Sequence, residues 1–195
     1  MVQDIVKTLL KGVASVKAGY SFRGKIPEDE HGEVWVIQVR DISADGQIMW
    51  DQLIRTTITG RKSPQLLELG DVLFIARGQK HLAASVKEVD RPVVCAPHFF
   101  HIRLSATAQV NPGFLAWQLN QQPAQRYFKQ SAEGSAQMSI RREVLENVPL
   151  TFPELSKQHV IAELEACAIK EKAALQQLID NRHKQLDAIA KDILQ

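Results

Sequence analysis

Cysteine is nearly absent from this 195-residue sequence: Cys95 and Cys167 are the only two, with no CxxC and no His or Cys at zinc-finger spacing near either. A disulfide framework and a structural zinc site are disfavoured on that ground. Long hydrophobic runs are missing too. The uncharged apolar run at 93–102 falls far short of the roughly 18 residues that a membrane span needs. At the N-terminus, Asp4, Lys7, Lys11 and Lys17 interrupt any signal-peptide core. A reduced, cytoplasmic protein with no membrane partner is expected. Charge of one sign is also lacking, since 24 Lys and Arg against 22 Asp and Glu leave a net charge of +2. That balance does not announce a nucleic-acid binder by itself. The small excess is uneven, however. Residues 151–195 hold six Lys and Arg against seven Asp and Glu, leaving eighteen against fifteen in residues 1–150.

Catalytic motifs are missing as well. Gly60-Arg61-Lys62-Ser63 ends like a phosphate-binding loop, but Arg61 stands where glycine is required, so the phosphate cradle cannot form. No GxGxxG follows a predicted strand, and neither HExxH nor GxSxG occurs. His98 and His101 lie three apart in a predicted strand, which sends their rings to opposite faces, and both are read as structural. His159 and Glu163, four apart on a predicted helix, have no evident third ligand and are read as a solvated ion pair. A nuclease site among Asp41, Asp71 and Glu88 is the one enzymatic reading left, and it is set aside. No catalytic residue, metal site or cofactor site is assigned.

Glycine and proline vanish from residues 156–195, where Ala, Glu, Lys, Gln and Leu dominate. Pro149 and Pro153 precede this stretch, and Ser156 suits an N-cap. Ile161, Leu164, Ala168, Leu175, Leu178, Leu186, Ile189 and Ile193 recur at spacings of three, four, seven and eight, which predicts one continuous helix with a coiled-coil stripe. Roughly 38 residues at 1.5 Å each make a rod of about 55 Å. Such a rod must project beyond a compact domain or pack along a partner. Glu171 and Arg182 fall on or beside the stripe. Either the phase drifts and both charges sit at its rim, or they set register against a partner helix.

Residues 1–150 read differently. Short apolar or alternating runs at 34–39, 72–76, 83–89 and 93–104 predict strands. Asp45-Gly46 marks a turn between Ile42 and Ile48. Helices are predicted over 4–11, over 112–121 with Pro112 at its start, and over 123–129. The expected class is α+β: a mixed α/β domain over residues 1–152, followed by one long C-terminal coiled-coil helix over 153–195.

Polar and basic residues gather in three segments read as loops. Tyr20, Ser21, Arg23 and Lys25 form the first; Arg55, Thr57, Thr59, Arg61 and Lys62 the second; Arg77, Gln79, Lys80 and His81 the third. Residues of these types can both neutralise phosphates and hydrogen-bond base edges, although most surface loops are polar.

The order of motifs resembles the specificity subunit of type I restriction-modification systems, in a half-length form. Ala18-Gly19-Tyr20-Ser21-Phe22-Arg23 is similar to that family's early segment, and Val39-Arg40-Asp41-Ile42 to its strand end. Leu69-Gly70-Asp71-Val72-Leu73 with Arg77-Gly78 resembles its hairpin, while 96–103 and 114–120 take the place of its next strand and helix. Further on, 134–140 (GSAQMSI), 145–149, and Leu155-Ser156-Lys157-Gln158 with Ile161 are similar to its later segments, the last at the start of its conserved helix. Lys157 replaces an acidic residue usual there. Family members usually carry two recognition domains and two helical regions in one chain, and this chain has one of each.

The resemblance implies a non-catalytic protein that reads double-stranded DNA, one half-site per chain, with the three loop segments as contacts. It implies a methyltransferase subunit as partner, which would bring S-adenosylmethionine, and antiparallel pairing of two helices. A homodimer through Ile161, Leu164, Ala168, Leu175, Leu178, Arg182, Leu186, Ile189 and Ile193 is expected. The competing class is a protein-interaction module that works through its coiled coil and has no DNA target.

Overall fold

Apolar runs between residues 6 and 104 become eight strands in the computed structural model, which describes residues 5–58, 63–131 and 139–194. They are β1 (Val6–Leu9), β2 (Ala14–Ala18), β3 (Val34–Ile37), β4 (Ile54–Thr56), β5 (Val72–Ile75), β6 (Ala83–Ser85), β7 (Val93–Cys95) and β8 (Phe99–Leu104). Then follow α1 (Pro112–Asn120), α2 (Gln122–Ser131), α3 (Arg142–Glu146), β9 (Pro149–Phe152) and α4 (Leu155–Leu194).

Strand β5, VLFI, is buried along its whole length, and a period of two explains how. Val72 and Phe74 enter one core, together with Phe114, Leu119, Phe128 and Leu145 of the helices. Leu73 and Ile75 enter a second core with Val36, Ile37 and Val94. The four-stranded sheet, in the order β2-β8-β5-β6, therefore lies between the helices on one face and the three-stranded sheet β4-β3-β7 on the other.

Several sequence expectations change here. Residues 4–11 were expected as a helix, but Val6–Leu9 is a strand followed by a single 3-10 turn at Leu10–Gly12. Pairing with β9, Val6 opposite Phe152 and Leu9 opposite Pro149, overrides the local preference. The run at 93–104 is two strands, broken at Pro97-His98: β7 pairs with β3 in one sheet and β8 with β2 and β5 in the other. The run at 83–89 stops at Ser85, where Val86 N turns to donate to the carbonyl of Asp71 at 2.8 Å. The expected helices at 112–121 and 123–129 are present as α1 and α2; α3 was not foreseen.

Helix α4 runs for 40 residues, about 60 Å at 1.5 Å per residue. Its root is fixed by one fully buried side chain. Gln158 Nε2 donates to the carbonyls of Pro153 (2.7 Å) and Gln109 (3.0 Å), and its Oε1 accepts from Asn111 N (2.9 Å). Asn111 in turn caps α1 through Phe114 N at 2.9 Å. Where α1 crosses α4, a Cβ on Gly113 would stand 3.2 Å from that of Ala162, so glycine lets the helices approach. Ile161, expected in the pairing stripe, is instead half-buried against the core of its own domain. Every described residue from 171 onward is exposed. No second helix lies along that distal stretch among the described residues, so the expected coiled coil is here a single helix. No helix of the described residues is long and apolar enough to cross a membrane.

Replacing Gln158 with Ala removes the side-chain partner of three part-buried backbone groups, at about 1 kcal/mol each. A loss of about 3 kcal/mol is expected in urea unfolding, against no measurable change for the exposed Gln177→Ala. Equal midpoints for the two variants would show that Gln158 does not anchor α4.

Candidate nucleic-acid interface

Strand direction assembles the surface. Strands β2 and β5 end, and β8 begins, at the same edge of the four-stranded sheet, with Ala18 opposite Phe100 and Ile75 opposite Phe99. Residues 19–26, 76–82 and 96–98 therefore emerge together. In the other sheet β3 and β7 are parallel and finish side by side, Ile37 opposite Cys95, which delivers residues 38–40 to the same edge. Backbone bonds join these segments: Gly19 N to Phe99 O (2.9 Å), Tyr20 N to Cys95 O (2.8 Å) and Ala76 N to His98 O (2.8 Å). Gly19 permits the first of these contacts, because a Cβ there would fall 2.1 Å from the carbonyl oxygen of Ala96.

The four segments carry Arg23, Lys25, Arg40, Arg77 and Lys80, all exposed, and contain no Asp or Glu. Lys25, Arg40 and His98 line one groove of about 380 Å³ whose wall includes Phe22 and Gln38. Phe22 stands edge-on to Tyr20 with ring centroids 4.8 Å apart. Lys80 and Lys129 line a second groove of about 330 Å³, between the β5–β6 turn and α2. Arg40 Nε also lies 3.7 Å from the buried carboxylate of the adjacent Asp41, while the remaining exposed cations make a local positive potential suited to a phosphate backbone.

The structure thus gathers two of the three sequence segments and separates the other. Tyr20 is half-buried, while Ser21, Arg23, Lys25, Arg77, Gln79 and Lys80 are exposed at the shared edge. His81 is not an exposed loop residue as expected: it is 5% exposed, with Nδ1 2.9 Å from the carbonyl of Ile75. Arg55 lies in the middle of β4 rather than in a loop, opposite Trp35 near the start of β3. Its guanidinium donates to the carbonyls of Gly32 and Glu30, both at 2.6 Å, and lies 4.8 Å from the centre of the Trp35 ring. Thr57 Oγ1 donates to Asp29 Oδ2 at 2.5 Å. That bond, with one from His31 N, holds the Asp29 carboxyl below its ordinary range. Both residues secure the 29–32 turn. Thr59, Arg61 and Lys62 lie outside the described residues.

Arg40, His98 and Lys129 were not among the sequence candidates. Arg40 belonged to a motif read as a strand end, and His98 was read as structural, whereas its side chain is exposed in the turn before β8. Only the parallel β3–β7 pairing places the two together. No signal within either segment reports that pairing.

The acidic residues do other work. Asp71, Leu73 and Ile75 share one face of β5, and across the ladder Phe99, His101 and Arg103 share that face of β8. Asp71 Oδ2 is 2.7 Å from His101 Nε2, and Arg103 donates to both its oxygens, at 2.9 and 2.8 Å. Glu68 N adds a bond of 2.7 Å. Burial pushes the Asp71 carboxyl up, but the bonds from Arg103, His101 and Glu68 N outweigh it and leave its pKa at about 2. His101 is accordingly structural, as expected. Asp41 caps its own turn, accepting from Gln38 N at 2.8 Å, and burial pushes its carboxyl up. His159 faces Asn111, with Nδ1 3.2 Å from Asn111 Nδ2, rather than pairing with Glu163. Among the described residues no three His, Cys, Asp or Glu are grouped to hold a metal ion.

A family model described as the type I restriction modification DNA specificity domain matches residues 3–166. No curated protein matches the chain. Among solved structures, the type I restriction-modification S subunit from M. genitalium is 15% identical with a TM-score of 0.60, over 94% of this chain and 44% of its own. The HsdS subunit from Thermoanaerobacter tengcongensis is also 15% identical, with a TM-score of 0.61 over 91% of this chain and 40% of its own. A chain from a study of complex assembly and conformational transition of the type I R-M system is 16% identical, with a TM-score of 0.69 over 95% and 43%. At such identities the likeness is one of fold. The present chain spans less than half the length of each.

The Asp71 pKa is depressed on folding, from roughly 3.9 in an unfolded chain to about 2. The stability it contributes is therefore complete above about pH 5 and is lost as pH falls through about 2, in total about 2 kcal/mol. Unfolding free energies of the wild type and of Asp71→Asn, compared between pH 5 and 2, should converge by that amount. A constant difference would mean that Asp71 is not held ionised by Arg103 and His101.

Proposed function

The chain belongs to the type I restriction modification DNA specificity domain family, and from that premise we propose that it recognises double-stranded DNA, one half-site per chain. Residues 1–152 act as the recognition unit and 153–195 as the spacer and docking helix. The observation that carries this reading is the shared sheet edge, where Arg23, Lys25, Arg40, Arg77 and Lys80 stand with no carboxylate in the same segments. Phosphate contacts from these cations place the protein on the duplex, and Ser21, Gln79 and Tyr20 are the proposed contacts to base edges. Arg61, Lys62 and Thr59 remain in the proposed contact set by their composition.

A methyltransferase subunit is the proposed catalytic partner, which binds S-adenosylmethionine and supplies the methyl-transfer chemistry. This chain supplies the address. Helix α4 presents Leu164, Leu175, Leu178, Leu186, Ile189 and Ile193 to solvent, each more than half exposed. Pairing with a second chain would remove that apolar surface from water, at about 25 cal/mol for each Å². A homodimer would present two identical recognition units and prefer an interrupted palindrome. The long exposed stripe also suits an interaction module without a DNA target, which would show neither sequence preference nor salt dependence.

Binding to randomised duplexes at several salt concentrations tests the reading. Each of Arg23→Ala, Lys25→Ala and Lys80→Ala is expected to flatten the slope of log K against log salt by about one unit wherever it removes a phosphate contact. Arg55→Ala should leave the slope alone and lower stability by about 1 to 2 kcal/mol, through the lost carbonyl bonds and ring contact. Wild-type binding without enrichment of any sequence would refute DNA recognition.

A further inference from the structure

We infer that Arg40 is a base reader: its guanidinium, steered from behind by the buried carboxylate of Asp41, presents its free N–H fork to O6 and N7 of one guanine in the major groove. This rests on the DNA reading proposed above, and it takes Arg40 out of the phosphate-contacting group. The backbone that carries Arg40 is fixed. Residues Val39–Asp41 form a single 3-10 turn directly after β3, closed by side chains at both ends. Asp41 Oδ2 accepts from Gln38 N at 2.8 Å, and the Gln38 side chain accepts in return from the amide of Asp41. On the far side the carbonyl of Asp41 accepts from Met49 N at 2.8 Å. Arg40 therefore projects from a braced turn at the sheet edge rather than from a free loop.

Asp41 has one oxygen left over. The residue is 1% exposed, and among the described residues its Oδ1 has no hydrogen-bond partner. Burial pushes the carboxyl up, while the bond from Gln38 N and the charge of Arg40 oppose that rise. Arg40 Nε stands 3.7 Å from Oδ1, and the Arg40 side chain is 62% exposed. A shift of about 0.8 Å would bring that pair to hydrogen-bond distance. The carboxylate thus attracts the guanidinium by its Nε side and leaves the terminal Nη1–Nη2 edge without a partner among the described residues.

None of Arg23, Lys25, Arg77 and Lys80 has a carboxylate partner among the described residues. A cation free to move follows a phosphate backbone, whereas a planar fork that is already oriented loses less freedom when it pairs with a base edge. The surroundings agree. Arg40 lines the groove of about 380 Å³ whose walls include Phe22, Ile26, Ala96 and Pro97. Apolar walls suit the edge of a base pair better than a hydrated phosphate. Among the bases, guanine sets two acceptors side by side in the major groove and matches the fork. Adenine sets an N–H donor beside its N7, and that donor would oppose it.

The test uses the full chain with randomised duplexes, then the selected duplex with single bases replaced. The wild type should enrich guanine at one position of the half-site. Arg40→Ala should lower the guanine preference there about ten- to hundredfold and leave the other positions as they were. Replacing that guanine with 7-deazaguanine, which lacks the N7 acceptor, should weaken binding by the wild type but not by Arg40→Ala. Inosine keeps O6 and N7 and should be bound like guanine. Asp41→Asn keeps an oxygen for the Gln38 amide and loses the charge, so the same preference should fall about three- to fivefold at that position only. A merely structural effect would weaken every position alike. Uniform weakening of all sequences by Arg40→Ala, with a salt slope flatter by about one unit, would make Arg40 a phosphate contact and overturn its reading role. Loss of binding with inosine but not with 7-deazaguanine would move the contact to the minor groove and overturn it too. Full guanine preference in Asp41→Asn would remove Asp41 as the positioning residue. No enrichment of any sequence by the wild type would refute DNA recognition itself, on which the role of Arg40 rests.

Discussion

Because Val72–Ile75 is buried on both faces, its alternate side chains must serve two cores at once, and that requirement places every other layer of the domain. Val72 and Phe74 need the helices; Leu73 and Ile75 need the three-stranded sheet. A polar residue on either side of this strand would have to find a buried partner. Asp71 is the one that does. It lies at the beginning of β5, where Arg103 and His101 of β8 reach it along the same face. The ladder that packs the two cores also brings this ion pair together.

The same strand directions sort the charges. Asp71 and its partners occupy the starting end of β5, whereas the segments that follow β2, β3, β5 and β7 leave from the other end. The buried carboxylate is therefore kept from the edge that carries Arg23, Lys25, Arg40, Arg77 and Lys80. A sheet whose strands ran otherwise would mix the two populations, and the positive potential would be lost to local ion pairs. Arg55 is the counterexample that makes the point. It is as basic as the others and as exposed, yet it sits in the middle of β4, where the backbone carbonyls of Gly32 and Glu30 claim its guanidinium.

Helix α4 depends on the domain only at its root. Gln158 satisfies two carbonyls and one amide there, and the half-buried residues through Ile169 and the exposed ion pair of Lys172 with Asp45 complete the contact. Beyond that point the helix is held by its own hydrogen bonds and composition. Helical content alone does not stabilise so long an exposed apolar stripe, since most helical stability in proteins comes from packing one face. The distal stretch is thus an exposed apolar surface, the one proposed above for pairing.

What the sequence determined by itself were the features written in local pattern. The freedom from Gly and Pro over 156–195 and its three-four spacing specify α4, and Pro112 opens α1. The apolar runs of β3, β5 and β8 are legible for the same reason: period and composition act over a few residues. The likeness of its motifs to one family was legible too, and Gln158, Gly19 and Asp71 prove to be motif residues with physical tasks. Tertiary structure decided the rest. Val6–Leu9 is a strand only because Pro149–Phe152 lies beside it, more than 130 residues later in the chain. Arg40 and His98 meet only because β3 and β7 run parallel. His81 and Arg55 both read as loop contacts, because neither the burial of His81 nor the Gly32 and Glu30 carbonyls that hold Arg55 have a signature in the segment itself. Backbone pairing between remote strands has no signature within either strand, and the assembly of a surface from four turns is a property of those pairings alone.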